Sequence, residues 1–171
     1  MAIVAILLVI TYRSPVLWLV PLIVVGVGDR VAVVLGTRTL EAVGLPYDGT
    51  TAGILSVLVF GAGTDYALLL ISRYRDELRL HDSRHAAMAQ ALRRTAEAVL
   101  GSALTVFLAV LALLLSVTPG TRGIGLACAV GIVVATAFAL LVLPATLVLC
   151  GRCVFWPLVP RTGDRLGADR V

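Results

Sequence analysis

Residues 60–79 read FGAGTDYALLLISRYRDELR. An apolar run is interrupted by an acid, Asp65, followed at once by Tyr66. It then gives way to Arg73, Arg75, Asp76, Glu77 and Arg79. The apolar part, from about Thr51 to Ile71, has the ~20 residues needed to cross ~30 Å of hydrocarbon. The arginine-rich part marks where such a helix leaves the membrane on its cytoplasmic side. An acid inside a spanning helix costs ~2.5–3.5 kcal/mol on insertion scales, so Asp65 needs a reason to be there.

The rest of the chain agrees with a membrane setting. Of 171 residues, 60% are hydrophobic and only 14% charged, against about a quarter charged in soluble domains. Mean hydropathy is +1.03 and the pI about 9.4. The net charge is +4 and every basic residue other than His is Arg. The arginines flank apolar runs, as the positive-inside rule requires, and so do not point to nucleic acid. Cys128 lies in an apolar run, and Cys150 and Cys153 form a lone CxxC, so no disulfide framework is implied. The opening MAIVAILLVITYRSP lacks the basic region and cleavage site of a signal peptide.

Outward from the motif, the pattern predicts an all-α membrane protein. Residues 1–11 are apolar but too short to span, and read as a truncated helix. Full spanning helices are expected over 16–35, 51–71, 98–117 and 124–149, together forming a bundle over 1–150. Residues 73–94 read as an amphipathic helix on the cytoplasmic surface, with Leu78, Leu80, Ala86, Met88, Ala89 and Leu92 on its apolar side. Residues 151–171 read as a cytoplasmic tail, with Phe155 and Trp156 suited to the interface. Arg13, the cluster from Arg73 to Arg94 and the tail arginines fall on one side, which should be cytoplasmic. Residues 37–50, with Arg38, and the loop with Arg122 should be extracytoplasmic.

The residues around Asp65 suit a proton or ion relay, the default role of an intramembrane acid. Gly61 and Gly63 allow another helix to approach closely. Thr64 and Ser56 supply hydroxyls, and Tyr66 can donate to a carboxylate or a water. Ser102 and Thr105 are three apart, on one face of the next spanning helix, and are candidate hydrogen-bond partners for Asp65. The alternative is a structural Asp bonded to nearby backbone, with Ser and Thr bonding their own helices.

These residues resemble a known family. FGAGTDYALLLISRYRDELR is similar to the signature of the MMPL transporters of the resistance–nodulation–division (RND) superfamily. YRSP at 12–15, ALRRTAEAVLGSALTV at 91–106 and LPATLVLCGRCVFWPLVPR at 143–161 agree with it. The resemblance implies that Asp65 and Tyr66 sit on the fourth helix of a six-helix repeat and belong to a proton-translocation relay. Ser102 falls where the family has a relay-neighbouring serine. It further implies partners outside this sequence: a second repeat, extracytoplasmic domains and a lipid-like substrate. Residues 1–11 would then be the end of the repeat's second helix, and FWP at 155–157 suggests the N-terminal repeat.

The implied function is the membrane segment of a proton-driven exporter of lipids or other hydrophobic molecules, in the cell membrane. The other reading is a non-transporting scaffold, assembly module or inactive remnant. An enzyme is not expected, because no nucleophile–base pair or close carboxylate pair lies in the membrane runs. No cofactor is implied. His81, His85, Cys150 and Cys153 make only weak zinc signals, so no metal site is expected. GTRGIG opens a spanning helix rather than following a strand, which argues against a phosphate loop. Asp29 and Arg30, in the middle of the second apolar run, are expected to pair and lower each other's cost.

Overall fold

The computed structural model describes residues 15–80 and 83–150. They form helices α1 (Pro15–Val43), α2 (Gly49–Leu80) and α3 (Arg84–Leu111), and a 3-10 turn (Ala112–Leu115). Helix α4 (Pro119–Ala137), a π turn (Phe138–Val142) and α5 (Leu143–Cys150) follow without a break. No strand occurs among the described residues. Among the described residues four stretches are long and apolar enough to cross a bilayer: Leu19–Val43, Gly49–Leu78, His85–Leu115 and Pro119–Leu149. The molecule is an all-α, multi-pass membrane bundle. The expected short helix at 1–11 and the tail at 151–171 lie outside the described residues.

Helix α1 runs on through GTRTLEAV at 36–43, past the end of the expected span 16–35. Two hydroxyls there bond their own helix: Thr37 Oγ1 donates to Val33 O at 2.9 Å and Thr39 Oγ1 to Leu35 O at 2.7 Å. The helix stops at Gly44, whose φ of 72° is the left-handed conformation that glycine adopts without penalty. The N–H of Gly44 donates to Glu41 O and that of Leu45 to Leu40 O, which is the Schellman arrangement. Leu40 and Leu45 then pack in the same cluster. Asp48 starts α2: its Oδ1 accepts from the Thr51 N–H and from Thr51 Oγ1, both at 2.8 Å, the N-cap bond.

The expected surface helix over 73–94 is not a separate element. Helix α2 continues to Leu80 and α3 begins at Arg84. The polar stretch forms the adjoining ends of two spanning helices packed on one another. The reason is mutual burial. Tyr74 and Leu78 of α2 pack with Ala87, Met88 and Ala91 of α3 and with Leu143 and Leu147 of α5. Leu80, expected on the apolar side, is instead exposed. Arg94 NH1 lies 3.0 Å from Glu77 Oε1, and the Glu77 side chain is only 4% exposed.

Helix α4 packs against α1, α2 and α3. It does so through small residues, including Gly123, Gly125, Ala127 and Gly131, which let backbones approach. A Cβ at Gly125 would lie 2.8 Å from the Val110 carbonyl oxygen. The remainder of the chain therefore places α2, with its Asp-Tyr pair, between α1 on one side and α3 and α4 on the other.

Candidate functional site

Asp65 is the seventeenth residue of α2, near mid-span of Gly49–Leu78. Its neighbour Tyr66 is 7% exposed and packs with Val99 and Ala103 of α3, Ile132 of α4 and Ala139 of the π turn. Successive positions on an α-helix diverge by about 100°, so burying Tyr66 turns Asp65 away from that interface. Asp65 is exposed on the bundle's outer surface. It makes no hydrogen bond or ion pair among the described residues. The one inward-facing and one outward-facing member of the pair thus tie a rigid core aromatic to an accessible carboxyl.

The glycines differ. A Cβ at Gly63 would lie 3.0 Å from Val25 Cγ1, so Gly63 meets α1 closely. Around Gly61 nothing lies within 4 Å; it shares the exposed face with Asp65. The expectation that Gly61 faces a helix is not met by any described residue.

The two threonines expected around the acid are engaged elsewhere. Thr64 Oγ1 donates to Phe60 O and Gly61 O, each at 2.8 Å. Thr105 Oγ1 donates to Gly101 O at 3.0 Å. Ser102 is exposed and makes no hydrogen bond among the described residues. No bond joins Ser102 or Thr105 to Asp65. The threonines satisfy themselves on their own helices because no water is there to compete.

Asp29 and Arg30 do not pair, contrary to expectation. Adjacent helical positions do not face each other. Arg30 is exposed, while Asp29 is half-buried with its Oδ1 closed off and without a partner. The sequence did not single out Glu77, the buried acid held by Arg94. Its signal was spacing: three residues beyond Tyr74 and next to Leu78, it falls on the buried stripe.

Between α3 and α4 an open apolar groove of about 450 Å³ is lined by Leu100, Leu104, Phe107, Val133 and Leu140 among others. Its polar member, Thr136, donates to Ile132 O, leaving no free donor there. Among the described residues no three His, Cys, Asp or Glu side chains are grouped to hold a metal; His81 and Cys153 lie outside them.

Comparison with known proteins gives the family. The MMPL family profile matches residues 1–167. ActII-3 of Streptomyces coelicolor is 48% identical over 168 residues, covering 98% of this chain and 24% of that protein. The apo-petrobactin exporter of Bacillus anthracis is 37% identical over 159 residues, 93% of this chain and 21% of that protein. MmpL10 of Mycobacterium leprae is 37% identical over 168 residues, 95% of this chain and 16% of that protein. The chain therefore spans about a quarter or less of the length of these curated relatives. No solved structure matches it. With four apolar helices of spanning length among the described residues and a family match over nearly its whole length, the chain belongs to the MMPL family.

Proposed function

We propose that this chain is the membrane segment of a proton-driven exporter, with Asp65 carrying the proton and Tyr66 tuning it. One observation carries the reading: a carboxyl at mid-span, facing out of the bundle, with no partner among the described residues. An acid so placed needs a polar surface supplied from elsewhere, since facing lipid alone would cost ~2.5–3.5 kcal/mol. The partner that suits it is the second repeat of an MMPL transporter, and the exposed Gly61 leaves room for close approach. One elementary charge crossing ~100 mV supplies ~2.3 kcal/mol, so a few protons per cycle suffice to drive rearrangement. The relatives whose names state transport or export support the class of activity. A lipid or other hydrophobic cargo, selected by extracytoplasmic domains, is the expected substrate. The cell membrane is the expected location, with the α2–α3 hairpin and the C-terminus cytoplasmic.

The test uses a complete MMPL transporter carrying this segment. Asn matches Asp in size but does not titrate, so Asp65→Asn should insert normally and abolish proton-driven export. Tyr66→Phe should weaken export or shift its pH dependence, with an equal or smaller effect. Export by Asp65→Asn at the normal rate, with its normal dependence on the proton gradient, would sink the proposal.

A further inference from the structure

Arg30 is a charge without a use in this bundle. It is the twelfth residue of the span Leu19–Val43, ~16 Å from one end and ~20 Å from the other at 1.5 Å per residue. Half the hydrocarbon thickness is ~15 Å, so neither membrane face is close. Arg30 is exposed, and it makes no hydrogen bond or ion pair among the described residues. An arginine at such a depth is costly unless it faces a polar or oppositely charged group.

The chain holds no acid that suits it. Asp29 is next to Arg30 on the helix, turned inward and unable to face it. Asp65, the other acid at mid-span, points away from α1. Gly63, which meets Val25 of α1, is two positions from Asp65, about 160° round α2. The depths differ as well. Helices α1 and α2 run antiparallel through the short connection between Val43 and Gly49, and the Val25–Gly63 contact fixes their level. Arg30 is five residues from Val25 towards one membrane face and Asp65 two residues from Gly63 towards the other, so they are staggered by ~10 Å. The remaining acids of the sequence lie outside the apolar runs.

We propose that the outer face of α1 seats a further membrane helix, from the part of the transporter outside this sequence, that presents an Asp or Glu to Arg30. Ile23, Val27 and Val34 are all exposed and share that face with Arg30 at helical spacing. Gly26, one turn before Arg30, has nothing within 4 Å of an added Cβ, so a second backbone can come close there. An Arg–carboxylate pair supplies two parallel hydrogen bonds and fixes the register of the two helices. The chain covers 24% of ActII-3 and 16% of MmpL10, so proteins of this family have ample further chain to supply the helix. A second copy of this chain in the same membrane orientation fits poorly, because its outward acid, Asp65, arrives ~10 Å from the level of Arg30. A phospholipid fits poorly too, since its phosphate lies at the membrane face. The proposal rests on the family and on α1, and is independent of the role given to Asp65.

The test uses a complete MMPL transporter carrying this segment, with the photo-crosslinker p-benzoylphenylalanine in place of Val34, irradiated in cell membranes and mapped by mass. The expected adduct lies outside this segment, in an apolar run of the transporter that contains an Asp or Glu. Adducts only with lipid, with a second copy of the segment, or with an apolar run lacking an acid overturn the proposal. The chemistry is then tested by removing one charge and both. Arg30→Leu should lower the yield of folded transporter several-fold, read by gel filtration, because the partner acid is left alone in the membrane. Replacing the mapped acid by Leu as well should restore most of that yield. A lipid-facing arginine predicts the opposite, so an equal or higher yield from Arg30→Leu alone, or no recovery in the double variant, overturns the pairing. None of these readouts involves the proton gradient, so failure here leaves the Asp65 reading standing.

Discussion

Three glycines in this bundle meet three different surroundings, and single alanine substitutions should order accordingly. Around Gly61 an added Cβ finds nothing within 4 Å. Alanine there recovers the helix-propensity deficit of glycine, so Gly61→Ala should stabilise the chain by about 0.5–1 kcal/mol. At Gly63 the Cβ meets Val25 Cγ1 at 3.0 Å and Cγ2 at 3.2 Å. Valine is stiff at χ1, so it yields only by moving α1, and the propensity gain is cancelled or slightly exceeded. At Gly125 the Cβ falls 2.8 Å from the Val110 carbonyl oxygen and 2.8 Å from Leu113 Cβ. Neither atom swings away without its backbone. Overpacking costs about 1–3 kcal/mol; less the propensity gain of about 1 kcal/mol, Gly125→Ala should lose up to about 2 kcal/mol. The assay is unfolding of the purified chain in mixed micelles on titration with dodecyl sulfate, followed by far-ultraviolet circular dichroism. Equal stability of Gly125→Ala and Gly61→Ala would refute the packing of α4 described above. Gly61→Ala has a second use. If the second repeat covers that face, the substitution that is harmless in the isolated chain should impair assembly of the complete transporter.

Three further outcomes are expected. Asp48→Ala should lower the melting temperature by removing the cap of α2; because the Thr51 N–H holds the Asp48 carboxyl below its ordinary 3.8, that contribution is full above the ordinary value and fades as pH falls below about 4 and through the folded value, so a wild-type-minus-variant difference that grows in acid would contradict it. Arg94→Met should cost about 1–3 kcal/mol, the range for a charge-assisted hydrogen bond, and the swap Glu77→Arg with Arg94→Glu should recover part of the loss in the same unfolding assay; no loss in Arg94→Met would show the pair is idle. A cysteine replacing Asp48, with the native cysteines removed, should react with an impermeant thiol reagent in intact cells, whereas one replacing Arg84 should not; the reverse pattern would invert the topology.

Composition and run length made the four spans legible, because nothing but a bilayer tolerates so much apolar sequence with so few charges. Their ends were not, since GTRTLEAV and SRYRDELRL look like surface by polarity alone. In the first, threonines bonded to Val33 and Leu35 keep the helix going. In the second, Tyr74 and Leu78 find cover on α3 and α5, which is a tertiary event. The Asp-Tyr pair stood out because a charge in an apolar run is rare. The opposite facing of its two members did not, because it depends on which side of α2 the neighbours occupy. Ser102 and Thr105 were placed near Asp65 by spacing, but spacing does not say where a hydroxyl finds its acceptor.

The π turn at Phe138–Val142 has a bearing on chain length. Ala127, Gly131, Ala135, Ala139, Leu143 and Leu147 are all buried, at a strict interval of four. Four residues of α-helix turn through one revolution plus about 40°, so over five intervals such a stripe would wander more than halfway round the rod. The wider π turn rotates less per residue and takes back part of that drift. It acts as a vernier, holding the two ends of the fourth span in phase with one neighbouring groove. Loss of a single residue between 138 and 142 would tidy the local geometry into plain α-helix. It would leave Leu143 and Leu147 nearly in phase with the hairpin they cover, because a π turn holds about one residue more than the α turn that replaces it, so a one-residue deletion here should be tolerated better than one elsewhere in the fourth span, where everything beyond it would rotate by about 100°.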